Sequence, residues 1–225
     1  DGDQILAVVE GTAMNNDGRT MGLTTPNPRA QREVVEQALE VAESDPASVT
    51  YVEAHGTGTL IGDPIEVQAL SSVFDANEGR GPWCGIGSVK SNVGHLLRAA
   101  GMASLHKVLL ALAHAQIPPT LHCDEPNPRF DFANSVFEPV TSLVPWSERD
   151  GVRRAGVSSF GFGGTNVHVV LRGPRPDERH ASIRTELPAA RFQRRRFWLT
   201  EPAAHGETGT STQERQPLLA LQEED

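Results

Sequence analysis

The sequence has few of the features that define several common protein classes. Only two cysteines, Cys84 and Cys123, occur among its 225 residues, which excludes a disulfide framework and predicts a reducing, cytoplasmic compartment. No run of about 18 apolar residues is present, so no membrane-spanning helix is expected. No basic–apolar–small signal peptide is found at the start. The net charge of −9 argues against a nucleic-acid-binding protein, which should carry a basic face.

Several catalytic motifs are also missing from the chain. It contains no phosphate-binding GxxxxGK loop, no CxxC or HExxH metal motif and no GxSxG nucleophile elbow. We therefore expect no metal site. Cys84 lies in an apolar stretch and Cys123 in a proline-rich loop, so both are interpreted as structural thiols rather than nucleophiles.

The hydrophobic pattern predicts an α/β fold in which helices cover a sheet. Asn27-Pro28 is typical of a helix start, and Asp63-Pro64 with Glu66 indicates a second start with a capping box. The segment 12–27 is rich in Gly, Asn, Asp and Thr and is predicted to be a loop. The predicted strands are 5–9, 49–53, 84–89, 137–146, 153–159 and 166–171, and the predicted helices are 28–42, 63–74 and 92–115.

The composition changes after Arg172, which predicts three regions. Residues 1–172 form the globular part, 173–205 a linker, and 206–225 a polar, flexible tail. The linker contains LPAARFQRRRFWL at 187–199, in which Phe192, Phe197 and Trp198 lie among four arginines. We expect these aromatics to pack back onto the globular part, because the acidic chain as a whole argues against a nucleic-acid surface.

The HGTGT segment at 55–59 follows a predicted strand. Its glycines permit a tight turn that approaches a ligand closely, and Thr57 and Thr59 offer hydroxyl groups to a polar ligand chain. His55 would then face the ligand. The alternative is a histidine that only bonds the backbone of its own turn.

The KSNVGH segment at 90–95 places His95 in the first turn of the predicted long helix. The positive end of that helix disfavours an imidazolium ion, so His95 should be neutral and donate a hydrogen bond to an oxygen that becomes negative during a reaction. Lys90 and Asn92 would orient it or add positive potential. The alternative is a simple helix cap.

The GFGG segment at 161–164 lies between two predicted strands. Its glycines could aim backbone N–H groups at a ligand in an oxyanion-hole arrangement, with Phe162 as a hydrophobic gate. A tight hairpin with Phe162 in the core is the alternative. The three segments together indicate the acid–base side of an acyl-transfer centre whose nucleophile lies elsewhere.

Three long segments resemble the C-terminal half of a ketosynthase domain from a type I modular polyketide synthase. They are VEAHGTGTLIGDPIE at 52–66, GSVKSNVGHLLRAAGMASLHKVLLAL at 87–112 and AGVSSFGFGGTNVHVVL at 155–171, and IPPTLHCDEPNP at 117–128 agrees with them. The resemblance covers about residues 3–172. The segment 187–199 looks like the linker that follows the acyltransferase in such synthases and folds back on the ketosynthase. Here no acyltransferase lies between them, which is similar to synthases whose acyltransferase is a separate protein.

The resemblance implies the C-terminal half of a thiolase-like fold, a mixed sheet with covering helices, in a homodimer. It also implies decarboxylative Claisen condensation of carrier-bound malonyl units. By analogy, His55 and His95 would stabilise the enolate, with Lys90 supporting His95.

The resemblance assigns further roles outside the histidine pair. The backbone N–H of Phe162 would help to form the oxyanion hole and its ring would gate the acyl site. Thr57 and Thr59 would contact the phosphopantetheine arm of an acyl carrier protein, and this chain would bind no cofactor itself.

The family's nucleophile is a cysteine in a TACSS-like elbow of the N-terminal half, and this sequence does not contain that elbow. We therefore expect catalysis only with a partner that carries the cysteine. The intact histidines argue against a member that passes chains on without extending them. Two alternatives stay open: an inactive ketosynthase-like scaffold or docking protein, and a thiolase-like enzyme acting on free acyl-CoA.

Overall fold

A computed structural model describes residues 4–22, 25–74, 81–178 and 192–193. The chain divides into two compact units, 1–184 and 185–225, and the described strands and helices lie in the first. The predictions for the linker segment 187–199 and the tail 206–225 lie outside the described residues, except at Phe192 and Gln193, and remain predictions.

The described ranges contain eight strands and four α-helices. The strands are β1 (Val8–Asn16), β2 (Tyr51–Glu53), β3 (Cys84–Gly87), β4 (Gln116–Ile117), β5 (Phe137–Pro139), β6 (Val144–Pro145), β7 (Arg154–Phe160) and β8 (Thr165–Arg172). The helices are α1 (Pro28–Val41), α2 (Gly62–Phe74), α3 (Lys90–Val93) and α4 (Ala100–His114).

Six strands form one mixed sheet in the order β1-β8-β7-β2-β3-β5. Strands β7, β2, β3 and β5 are parallel neighbours, whereas β8 runs antiparallel to both β7 and β1. Strands β4 and β6 pair separately. This arrangement confirms the predicted α/β class with a mixed sheet.

Helices cover both faces of the sheet. Successive side chains along a strand point to opposite faces, so neighbouring residues pack against different helices. Val52 of β2 packs in a cluster with α1 and α2, which includes Val34 and Leu70. The preceding Tyr51 packs in a second cluster with α4, which includes Val108. Strand β2 is therefore buried on both sides and holds the residues that follow it in a fixed position.

The predicted boundary of the first strand was wrong. Strand β1 begins at Val8 and continues to Asn16, through the first part of the segment predicted as a loop. It pairs with β8 along its length, from Val8 opposite Arg172 to Asn16 opposite Thr165. This tertiary pairing outweighs the turn-like composition of the sequence.

Helix α1 starts as predicted, with the Asn27 side chain accepting hydrogen bonds from the N–H groups of Arg29 and Ala30. The capping box predicted for α2 was wrong. Asp63 Oδ1 instead accepts from the N–H groups of Gly58 and Thr59, at 3.1 and 3.3 Å. The α2 terminus therefore serves to hold the preceding loop.

The long helix was also predicted to begin too early. Helix α4 starts at Ala100, and the residues before it form the short helix α3 and a 3-10 turn at Leu97–Ala99. Gly94, with φ of 78°, ends α3 in a conformation that an L side chain rarely adopts. His95 therefore does not lie in the first turn of the long helix, and the predicted effect of that helix end on it does not apply.

Candidate active site

The predicted histidine segments meet at one edge of the sheet. His55 follows β2, Lys90 follows β3, and Phe160 ends β7. These three strands are parallel neighbours, so their carboxyl ends lie together. His95 comes to the same edge because the chain turns back at Gly94.

The imidazole rings of His55 and His95 are neighbours in an edge-to-face arrangement. Their centroids are 5.8 Å apart and their planes are inclined at 82°. The ring of Phe160 packs against His55 with a centroid distance of 5.6 Å. The structure therefore brings His55 and His95 together, with a hydrophobic wall on one side of His55.

Each ring uses Nδ1 to accept a hydrogen bond from the backbone. The Phe160 N–H donates to His55 Nδ1 at 3.3 Å, and the Leu97 N–H donates to His95 Nδ1 at 2.9 Å. An accepting Nδ1 carries no proton, so a neutral ring must carry its proton on Nε2. Both histidines are therefore set up as Nε2–H donors when they are neutral.

His55 is held in its neutral form. Burial lowers the pKa of its imidazole from 6.5 to about 3, and electrostatic interaction with the nearby Lys90 and His95 adds to this effect. The His55 ring is consequently neutral, and not cationic, at neutral pH.

Lys90 contacts the His55 segment. Its Nζ donates a hydrogen bond to the carbonyl oxygen of His55. Burial lowers the pKa of its ammonium group, while the carboxylates of Glu66 and Glu53 oppose that change. Lys90 thus contacts His55, whereas the sequence-based prediction was that it supports His95.

Glu66 is a residue of this site that the sequence-based prediction missed. Its two carboxylate oxygens accept the N–H groups of His55 and Gly56, at 2.7 and 2.9 Å. Burial raises the pKa of this carboxyl group to about 7, although the two backbone bonds oppose the rise. Glu66 therefore fixes the turn that presents His55. The sequence indicated Glu66 only as a capping-box residue, so no local signal pointed to this contact.

We predict that Glu66→Gln changes how stability depends on pH. The pKa of Glu66 is higher in the folded chain than its ordinary value of 4.5. Protonated Glu66 therefore contributes fully to the stability of the fold below pH 4.5, and this contribution is lost as the pH rises to about 7. The stability of wild type relative to Glu66→Gln should therefore fall across this range, by up to about 3 kcal/mol. Urea unfolding at several pH values measures the difference. A constant difference would contradict the assignment.

Thr57 and Thr59 lie together in the loop after His55. Their hydroxyl oxygens are 3.3 Å apart, and Thr59 Oγ1 also accepts the Gly62 N–H at 3.1 Å. Thr57 borders a cavity of about 340 Å³ that Lys90 also lines. Thr59 is exposed. Their predicted contact with a phosphopantetheine arm stays a prediction.

Phe162 lies in the turn between β7 and β8. Its side chain is 80% exposed, so the alternative of a core phenylalanine is excluded. Gly163 and Gly164 both have positive φ, at 97° and 88°, and make this turn possible. An exposed ring on a tight turn is compatible with the predicted gate, which stays a prediction.

Comparison with known proteins identifies the family. Residues 6–124 match the family described as "Beta-ketoacyl synthase, C-terminal domain", and residues 126–212 match "Ketoacyl-synthetase C-terminal extension". The chain belongs to the beta-ketoacyl synthase family.

Individual relatives of this beta-ketoacyl synthase chain are polyketide synthases. "Polyketide synthase PksN" of Bacillus subtilis is 46% identical over 202 residues, covering 83% of this chain and 4% of the relative. A phenolphthiocerol/phthiocerol polyketide synthase chain of Mycobacterium tuberculosis is 51% identical over 171 residues, covering 76% of this chain and 11% of the relative. The chain therefore spans a small fraction of these proteins.

Solved ketosynthases share the fold. The ketosynthase from module 6 of the bacillaene synthase of Bacillus subtilis 168 is 45% identical, with a TM-score of 0.75, and the match covers 78% of this chain and 32% of that one. An oxazolomycin ketosynthase domain from Streptomyces albus is 44% identical with the same TM-score, and the match covers 78% of this chain and 32% of that one. The predicted resemblance to the C-terminal half of a polyketide ketosynthase and its thiolase-like fold are confirmed.

The two cysteines of this ketosynthase chain are poorly suited to act as nucleophiles. Cys84 is fully buried in β3, and burial raises the pKa of its thiol far above the ordinary value. Burial and the nearby Asp124 carboxylate also raise the pKa of the partly exposed Cys123. A reactive thiol needs a lowered pKa, so neither has the required environment.

The described part of this ketosynthase chain has neither a metal cluster nor a membrane span. Within those residues no group of three or more His, Cys, Asp and Glu side chains is placed to hold a metal ion. Among the same residues, no helix has both the length and the apolarity needed to cross a membrane.

Proposed function

We propose that this chain forms the histidine-bearing part of a polyketide synthase ketosynthase that extends an acyl chain by decarboxylative Claisen condensation. The observation that supports it is the histidine pair: two rings 5.8 Å apart, each with Nδ1 occupied by a backbone N–H. This arrangement leaves two neighbouring Nε2–H donors for one reacting group.

Such a pair of donors suits a malonyl thioester that loses carbon dioxide. The electrons of the broken C–C bond pass to the thioester carbonyl, whose oxygen becomes the negative oxygen of an enolate. Two preorganised N–H donors stabilise that oxygen without a proton transfer. A neutral His55 is therefore useful, and its low pKa, about 3, keeps it neutral.

The condensation step needs a second group. The α-carbon of the enolate attacks the carbonyl of an acyl thioester on a cysteine, a new C–C bond forms, and the C–S bond breaks to release the cysteine thiolate. Neither Cys84 nor Cys123 has the environment of a nucleophile. In our proposal a partner segment, the N-terminal half of the ketosynthase, supplies the cysteine.

The remaining partners follow from the same reaction. An acyl carrier protein brings the malonyl unit on its phosphopantetheine arm, which Thr57 and Thr59 contact in our proposal. The Phe162 N–H contributes to the oxyanion hole and its exposed ring gates the acyl site. The ketosynthase functions as a homodimer, and a separate acyltransferase loads the carrier.

The test uses the chain co-expressed with the cysteine-bearing segment, and compares His95→Ala with His114→Ala, an exposed histidine at the end of α4. We expect His95→Ala to lower malonyl decarboxylation by about 10²–10³-fold, as for the loss of an oxyanion donor. Acylation of the partner's cysteine should change by less than about threefold, because that step does not pass through the enolate.

Mass spectrometry of the intact protein measures acyl loading, and released carbon dioxide measures decarboxylation. His114→Ala should match wild type in both assays. A wild-type assembly that loads acyl groups and never condenses them would instead indicate a scaffold, and free malonyl-CoA replacing the carrier without loss of rate would indicate the acyl-CoA enzyme.

A further inference from the structure

A buried carboxylate lies two residues before His55. Glu53 ends strand β2, and its side chain is fully buried. Lys107 of α4 is also buried, with 6% of its side chain exposed, and its Nζ lies 2.8 Å from Glu53 Oε2. The histidine mechanism assigns no role to this pair.

Three different segments meet at the Glu53 carboxylate. Its Oε1 accepts the Val89 N–H at 2.6 Å, and its Oε2 accepts the Tyr51 hydroxyl at 2.7 Å. The Lys107 ammonium contacts Oε2 as an ion pair rather than as a well-aligned hydrogen bond, and it lies 5.5 Å from the centroid of the Tyr51 ring.

Each of these segments leads to a residue of the active site. Glu53 is on the strand that presents His55. Val89 directly precedes Lys90, whose Nζ in turn bonds the His55 carbonyl. Lys107 lies in α4, the helix that the His95 segment enters. One carboxylate therefore ties the supports of His55, Lys90 and His95 together.

The space around this junction is filled closely. A Cβ on Gly87, in the neighbouring strand β3, would lie 2.8 Å from the Tyr51 hydroxyl and 3.4 Å from Lys107 Nζ. The absence of a side chain at Gly87 thus provides the space that the Tyr51 hydroxyl and the Lys107 ammonium group occupy. The junction has little freedom to shift, so a change at Glu53 should be transmitted to the attached segments.

We propose that Glu53, paired with Lys107, is a positioning residue for decarboxylation and condensation, because it sets the placement of His55 relative to His95. The proposal rests on the proposed function. A buried ion pair adds little net stability over apolar side chains of similar volume. The bonds that the Glu53 carboxylate accepts from the Val89 N–H and the Tyr51 hydroxyl are directional, so they can fix geometry where apolar packing would not.

The experiment uses the assembled ketosynthase and the variant Glu53→Gln, which keeps the size of the side chain and removes its charge. We expect decarboxylation to fall about ten- to a hundredfold, as for a small misplacement of catalytic groups. Acyl loading of the partner's cysteine and the KM for malonyl-carrier should stay within about twofold of wild type. Glu138→Gln, on the exposed face of β5, is the matched control and should resemble wild type.

The double variant Glu53→Gln/Lys107→Met covers the case in which an unpaired lysine prevents folding. It leaves no buried charge at the junction, so it should load acyl groups normally and still decarboxylate slowly. The proposal is overturned if Glu53→Gln decarboxylates at the wild-type rate, if loading falls in the same proportion, or if the double variant regains full decarboxylation.

A failure of the positioning role of Glu53 can be distinguished from a failure of the proposed function. If His95→Ala abolishes decarboxylation and Glu53→Gln does not, only the positioning role is wrong. If His95→Ala decarboxylates normally, the histidine mechanism itself is wrong.

Discussion

Replacing His55 with alanine is expected to lower condensation by about 10²–10³-fold, the effect of losing one preorganised donor to a developing oxyanion. The Nδ1 of His55 accepts the Phe160 N–H, which leaves Nε2–H for the substrate. Alanine removes that donor from a partly buried site, and a mobile water would not restore its fixed direction. Single-turnover measurement of β-ketoacyl product in the assembled ketosynthase tests this expectation.

Acyl loading separates this effect from a loss of structure. The loading step should persist in His55→Ala, whereas an unfolded site would lose loading and condensation together. His106→Ala serves as the control, since His106 is exposed on α4 and its ring bonds only the carbonyl of Met102 among the contacts described. Equal losses in both steps would show that His55 has been given the wrong role.

The pH dependence adds a second check on His55. Its pKa of about 3 means that the ring stays neutral from about pH 4 upward. Protonation of His55 should therefore not limit decarboxylation between pH 6 and 8. If wild type shows a titration in its decarboxylation rate between pH 6 and 8 and His55→Ala lacks that titration, then the low pKa assigned to His55 is wrong.

The sequence predicted the site better than it predicted the boundaries of the elements around it. His55 and His95 could be assigned to one centre because both lie in glycine-containing segments that follow predicted strands. The local structure at His95 could not be predicted, because Gly94 interrupts a pattern that otherwise reads as one helix. The sequence-based argument for His95 depended on a helix end that lies elsewhere. In the structure the Leu97 N–H bonds Nδ1, so the proton of a neutral ring lies on Nε2.

The contacts missed by sequence analysis join residues far apart in the chain. Glu66 has the spacing of a capping residue, and only the fold shows that it bonds the His55 turn. Glu53 and Lys107 each occur in segments with ordinary strand and helix patterns, and no local signal links them. Long-range polar contacts of this kind depend on topology, which periodicity alone does not specify.

Gly11 shows the same limitation within strand β1. The predicted first strand ends before Gly11, whereas Gly11 lies inside β1 where the pairing with β8 shifts register. Such a position often marks a bulge or the close approach of another backbone. Both apply here: the pairing with β8 is irregular between Val9 and Gly11, and the backbone of helix α1 packs directly over Gly11.

Gly11→Ala is therefore expected to destabilise the fold strongly. A Cβ at this position would lie 2.3 Å from the Ala38 carbonyl oxygen and 2.6 Å from the Ala42 nitrogen. Both atoms belong to the backbone near the end of α1, so no side-chain rotation relieves the clash and the helix must move away from the sheet. We expect a loss of about 3 kcal/mol, at the upper end for overpacking.

Thermal unfolding of the full chain, followed by circular dichroism, measures this loss as a fall in Tm of roughly 6–12 °C. Gly173→Ala is the matched control, because its Cβ would meet Leu112 Cδ2 at an ordinary 3.6 Å. That control should melt within about 3 °C of wild type, as expected for a change of less than about 1 kcal/mol. If Gly11→Ala melts like the control, then α1 can shift over β1 at little cost, and the close packing of this helix on β1 does not contribute measurably to the stability of the fold.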